Sequence, residues 1–167
     1  MAKKVLSGAL NICKPISNNK TMSLSFKDDE VVKRNWFILD ASNLTLGRLA
    51  TFISNHICAK VSPMQTKHID CGSKIVVINC DKIAFSGKKM TQKVYYRHTG
   101  YPGGLKEATL KEMLVKGKST DVLEKAVKGM LRGGTSLKQK MLKNLRLYRL
   151  DSSNHDAQNL TPLKVIV

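Results

Sequence analysis

Acidic side chains are scarce. Only 12 Asp and Glu stand against 29 Lys and Arg in 167 residues, a formal charge of +17. Such an excess repels itself in a compact chain, so a polyanionic partner is expected to offset it. Nucleic acid and an acidic membrane surface both fit that description. Long apolar runs are missing too. None approaches the roughly 18 residues of a membrane span. The four cysteines (Cys13, Cys58, Cys71, Cys80) form no C-x-x-C pair, which argues against a secreted disulfide framework and for a reducing interior. His56-x-Cys58 and His68-x-x-Cys71 are loosely spaced, and a free cysteine is most often a small buried hydrophobe, so no metal is assigned. Gly87-Lys88 lacks the rest of a phosphate loop: Lys82 replaces the earlier glycine and Lys89 the Ser or Thr. Asn43-Leu44-Thr45-Leu46-Gly47 stands where a dinucleotide-binding glycine loop would follow the first strand. His98 has no nucleophile or carboxylate near it in the chain. No catalytic residue, cofactor or small-molecule substrate is therefore assigned.

Aromatic residues are only 5% of the chain, yet Tyr95, Tyr96 and Tyr101 fall in one stretch, residues 86–106. The same stretch holds Lys88, Lys89, Lys93, Arg97, His98 and Lys106, and no carboxylate. Gly100, Pro102, Gly103 and Gly104 supply a loop that bends tightly and can lie flat on another surface. Cations attract phosphates and rings stack on bases or riboses, so the stretch reads as a nucleic-acid contact, RNA first. The bland alternative is a strand with a solvated basic face. Two further basic blocks flank it. Residues 1–27 carry five lysines, no arginine and no acid. Residues 125–149 carry eight cations (Lys125, Lys128, Arg132, Lys138, Lys140, Lys143, Arg146, Arg149) and no acid. Charge gathered into blocks indicates a binding footprint more than general solubility.

The apolar pattern predicts an α/β domain. Residues 36–41 form a continuous apolar run, read as a strand buried on both faces. Leu46, Leu49, Ala50, Ile53 and Ile57 recur at helical spacing, predicting a helix over 45–58 capped by Thr45. Residues 74–79 form a second buried strand, and strand–helix–strand implies a parallel pair. A turn is expected at Ser86-Gly87, and a strand over 92–98. Thr109 caps a short helix reaching about Val115. A longer helix begins at Thr120 or Asp121, turns Val122, Leu123, Ala126, Val127 and Met130 inward, and ends at Gly133-Gly134. Residues 136–142 form a third helical piece and 145–148 a last strand. The N-terminal segment reads as a short amphipathic helix (Val5, Leu6, Ala9, Leu10, Ile12), either an organelle-targeting sequence or an RNA-binding arm. The tail from 150 onward is left unassigned. The division expected is an N-terminal extension (1–31), an α/β domain (32–150) and a C-terminal tail (151–167).

Several blocks together resemble one family. They are Thr45-Leu46-Gly47-Arg48-Leu49-Ala50, His68-x-Asp70-Cys71-Gly72, Val76-Val77-Ile78-Asn79 and Ser86-Gly87-Lys88-Lys89. With them go Gln92-Lys93-Val94-Tyr95-Tyr96, the run from His98 through Thr99-Gly100-Tyr101-Pro102-Gly103-Gly104, and Ala126-Val127-Lys128-Gly129-Met130-Leu131. The family is that of the bacterial-type thirteenth protein of the large ribosomal subunit. The resemblance implies a three-layer α/β/α fold around a four-stranded parallel sheet. It also implies a non-catalytic structural protein that binds large-subunit ribosomal RNA beside neighbouring ribosomal proteins. It places Arg48 beside phosphate, sets Lys88, Lys89 and Lys93 to neutralise backbone, and packs Tyr95, Arg97, His98 and Tyr101 on riboses or bases. Gly100, Gly103 and Gly104 would allow close approach, and Lys128, with Gly129 and Met130, would seat the later helix on RNA. Lys106, Arg132, Lys138, Lys140 and Lys143 extend the expected RNA-binding set. Where the family has Arg-Gly-Lys-His-Lys-Pro after the first helix, this chain has Cys58-Ala59-Lys60-Val61-Ser62-Pro63. The family's proline after Lys-Gly-Met-Leu is Arg132. The blocks 70–72 and 83–87 resemble mitochondrial members, which with the acid-poor N-terminus points to a mitochondrial ribosome; the alternatives are a bacterial or plastid one. The rival functional classes are a regulatory RNA-binding module free of the ribosome and a nucleotide-dependent enzyme. The missing glycine loop argues against the latter.

Overall fold

The computed structural model describes residues 34–165 apart from 63, 64, 67, 68 and 156. The expected N-terminal helix, the basic arm and His68 lie outside the described residues. Strand β1 (Trp36–Asp40) leads into helix α1 (Leu46–Ile57) and then β2 (Lys74–Ile78). β1 and β2 pair in parallel, with Phe37 opposite Ile75 and Leu39 opposite Val77. The predicted strand–helix–strand unit is therefore present. A helical turn, α2 (Lys89–Gln92), precedes an antiparallel hairpin of β3 (Val94–His98) and β4 (Leu105–Thr109). Helices α3 (Leu110–Val115), α4 (Ser119–Met130) and α5 (Thr135–Leu142) follow, then strands β5 (Leu145–Leu147) and β6 (Thr161–Leu163). The main sheet runs β5-β2-β1-β6 with every pairing parallel, and helices flank it. This is the expected α/β architecture and four-stranded parallel sheet.

Burial explains the order. Leu49, Ile53 and Ile57 of α1 are fully buried in one cluster with Leu39, Ile75 and Val77 of the sheet and Val122, Leu123 and Val127 of α4. Burying each such side chain contributes roughly 1.5–3 kcal/mol. α1 and α4 thus share a layer. Trp36, one position out of phase with Phe37, lies against His155 of the tail, with ring centroids 5.3 Å apart. His155 also pairs with the Tyr148 hydroxyl at 3.0 Å. The tail that the sequence leaves unassigned returns along the sheet and supplies the outer strand β6. The expectation that the run 36–41 is buried holds for Leu39 and Ala41; Trp36, Phe37 and Ile38 are half-buried and Asp40 is exposed.

Helix ends follow local chemistry. The Thr109 hydroxyl accepts from the Glu112 amide and donates to the Glu112 carboxylate, capping α3 as expected. Thr45 holds the corresponding position on α1, but its hydroxyl makes no capping bond. α1 closes in a Schellman motif. The Ala59 amide donates to the His56 carbonyl at 3.1 Å and the Lys60 amide to the Asn55 carbonyl at 2.9 Å. That motif needs a left-handed residue, and Ala59 has φ +53°. Alanine pays a steric penalty there that glycine does not. Ala59→Gly is expected to stabilise the fold by about 1 kcal/mol, read as a higher urea midpoint at unchanged slope.

The loop before β2 is tied down by Asp70. Its buried carboxylate accepts from the Asn144 amide (2.6 Å) and the Gly72 backbone (3.2 Å), and Arg34 stands 3.7 Å away. Ser119 and Arg149 both hold Asp81, and the Ser119 bond first, then Arg149, lowers its pKa below the ordinary carboxylate value. Arg149 is thereby committed to the fold.

Candidate nucleic-acid interface

The hairpin projects from the body. Val94, Tyr95, Ala108 and Thr109 at its base are half-buried, while residues 96–107 are exposed apart from Gly104. Its tip makes its own bonds: Thr99 donates through its amide (3.0 Å) and hydroxyl (3.3 Å) to the Gly104 carbonyl. Gly103 has φ +69°, and a Cβ on Gly104 would sit 2.1 Å from the Thr99 hydroxyl oxygen. Both glycines are required by the turn itself. The Gly100 amide donates to His98 Nδ1 at 3.0 Å, which leaves the proton on Nε2.

Register sorts the side chains. Arg97 is paired directly with Lys106, Tyr95 with Ala108, Tyr96 with Glu107 and His98 with Leu105. Alternation puts Arg97 and Lys106 on the face of Tyr95, and Tyr96, His98 and Leu105 on the other. Like charges directly opposite destabilise an exposed hairpin, and an anion between them relieves the repulsion. Lys93 and Lys125 lie over the Tyr95 ring, at 5.4 and 5.1 Å from its centroid. The cationic face therefore runs from the hairpin onto α4.

Tyr95 differs from its expected role. It packs against the core, and burial pushes its phenol above the ordinary value. The ring open to solvent in β3 is Tyr96, 64% exposed, with Tyr101 at the tip 76% exposed. His98 is on the Tyr96 face, away from Arg97 and Lys106. Met130, expected inward, is 39% exposed. It turns out because α4 ends there and Leu131 takes the buried position instead.

Two grooves gather five further cations. One, about 740 Å³, lies where α1 begins. A parallel bridge between Thr45 and Ala84 brings residues 84–89 alongside α1, so that Arg48, Ser86 and Lys89 share its walls with Met130 of α4. The other, about 690 Å³, collects Lys128, Lys143 and Arg146 with Glu124 between α4, α5 and β5. Lys88 is exposed at the start of α2, Arg132 is exposed after α4, and Lys140 is exposed on α5; Lys138 is half-buried. Sequence reasoning did not connect Arg48 with Lys89, because nothing local announces the Thr45–Ala84 bridge. The one available signal was Gly47, a glycine inside a helical pattern. His56 is no candidate ligand: it lies between the rings of Phe37 and Phe52, and burial lowers its basicity. Among the described residues no three His, Cys, Asp or Glu cluster as a metal site, and no helix is long and apolar enough to cross a membrane.

A parallel sheet that carries a projecting basic hairpin and two cation-lined grooves defines a small α/β protein with a polyanion-facing surface. The family model for ribosomal protein L13 matches residues 34–154. A protein of Maridesulfovibrio salexigens named large ribosomal subunit protein uL13 is 51% identical over 130 residues, 78% of this chain and 90% of its own length. Proteins of the same name from Xanthobacter autotrophicus and Neorickettsia sennetsu are 46% and 42% identical, over 80% and 82% of this chain and 87% and 90% of their own lengths. The chain belongs to the ribosomal protein L13 family.

Proposed function

We infer that the chain is a structural constituent of the large ribosomal subunit. It binds large-subunit ribosomal RNA, lies beside other ribosomal proteins and is not an enzyme. The observation that carries this is the family match over residues 34–154, which spans three of the four strands of the sheet, the hairpin and the helices bearing the grooved cations. In mechanism, the rigid sheet fixes the hairpin and the two grooves as one surface. Lys88, Lys89, Lys93, Arg97 and Lys106 meet phosphate along the hairpin side, with Tyr101 and the glycine turn at its tip. Arg48 acts at the start of α1. Lys125, Lys128, Arg132, Lys138, Lys140 and Lys143 extend the surface along α4 and α5. Binding releases counterions from the RNA.

The proposed location is a mitochondrial ribosome. The support is the composition of residues 1–27, lysine-bearing and acid-free, ahead of the family match, and the resemblance of blocks 70–72 and 83–87 to mitochondrial members. Sucrose-gradient sedimentation of lysates from isolated mitochondria and from the remaining cell fraction is the test. The protein is expected to peak with the mitochondrial large subunit and to move to the top after ribonuclease. A peak with large subunits of the other fraction would overturn the location. Protein at the top of every gradient would overturn the ribosomal role and favour the free RNA-binding module.

A further inference from the structure

The groove at the start of α1 has a composition that plain phosphate neutralisation does not call for. Its charged walls are Arg48 and Lys89, with no carboxylate among the lining residues. Its lining also holds apolar Phe85 and Met130, and Ser86 offers a hydroxyl beside the two cations. Cations for a phosphate, apolar side chains for a ring and a hydroxyl for a sugar or base edge together match a nucleotide.

Gly47 lines the same groove. It stands in the first turn of α1, exposed, with none of the left-handed backbone that calls for glycine. A Cβ added there would meet nothing within 4 Å. Glycine is a poorer helix former than alanine, so the fold gains nothing from it. Gly72 and Gly104, whose missing Cβ atoms are demanded by neighbouring atoms, show the contrast. The free space above Gly47 is explained if something outside the chain comes to the helix backbone at that point.

We propose that this groove receives one unpaired nucleotide of the ribosomal RNA, with its phosphate on Arg48 and Lys89 and its sugar or base laid over Gly47 toward Phe85. A base stacked within a duplex has both faces covered by its neighbours; a splayed one can lay a face on Phe85 and Met130. The proposal rests on the RNA-binding reading and adds to it the class of RNA element recognised.

The test uses the purified full chain, large-subunit ribosomal RNA and a fully paired RNA duplex as comparison. Gly47→Ala and Gly47→Gln both favour the helix, so both variants are expected to unfold at a temperature no lower than the unsubstituted protein. Affinity for the ribosomal RNA is expected to fall about tenfold for Gly47→Ala and about a hundredfold for Gly47→Gln, a loss of one and two decades. Affinity for the paired duplex is expected to stay within twofold. Unchanged ribosomal-RNA affinity in Gly47→Gln overturns the proposal, and so does an equal loss on the duplex. If the unsubstituted protein shows no salt-sensitive binding to ribosomal RNA, the RNA-binding reading itself fails, and that outcome is separate from the first two.

Discussion

Gly72→Ala is expected to lower the stability of the free protein by about 3 kcal/mol or more. The new Cβ would stand 1.8 Å from the Ile57 carbonyl oxygen and 2.7 Å from its carbon. Both belong to backbone, which cannot swing aside as a flexible side chain would. Either the end of α1 or the loop must move. The loop is held by Asp70, which binds the Gly72 amide, Asn144 and Arg34. The end of α1 is held by its Schellman bonds and by the fully buried Ile57. For a chain of this size the loss corresponds to a fall of roughly 6–12 °C in the thermal midpoint. A midpoint within 2 °C of the unsubstituted protein would show that the loop yields easily. The Asp70-Cys71-Gly72 block thus serves folding, although it appeared first as part of a family signature.

The second large effect is on binding. Lys88→Glu combined with Lys89→Glu changes the surface charge by four units. Both side chains are exposed, and Lys89 makes only a 3.3 Å bond to the Ser86 hydroxyl, so folding should be unaffected. At roughly 1 kcal/mol per unit charge at contact distance in water, the change is about 4 kcal/mol. That is close to a thousandfold in affinity for large-subunit RNA. The expected outcome is a variant with native circular dichroism and thermal midpoint that fails to enter the large subunit. Normal incorporation would mean that α2 faces solvent in the assembled particle.

Much of the architecture was legible where one element carried one period. α1 shows a clean 3.6 repeat, and β1 and β2 are short apolar runs, so their parallel pairing followed from chain order. β4 was not legible. Leu105–Thr109 reads Leu-Lys-Glu-Ala-Thr, a composition that favours helix, and it is a strand because β3 lies beside it. The predicted strand over 92–98 starts late for the opposite reason: Lys89–Gln92 closes one helical turn first. β6 carries Pro162, which is tolerated at the sheet edge and hides the strand from a pattern search. The basic stretch was visible as composition, but the division of its residues between two faces was not. Whether Tyr95 or Tyr96 turns inward depends on hairpin register, and Ala108 across from Tyr95 decides it. The groove at α1 joins residues forty positions apart through a single bridge, which no local pattern announces.

The salt dependence of binding between the purified protein and large-subunit ribosomal RNA tests the central claim most directly. If the hairpin and the two grooves neutralise about eight phosphates, log affinity against log salt should fall with a slope of roughly −6 to −7. Lys88→Glu with Lys89→Glu should make that slope shallower by about two units. A slope near zero, or one that the double substitution leaves unchanged, would contradict the assignment of this surface to RNA.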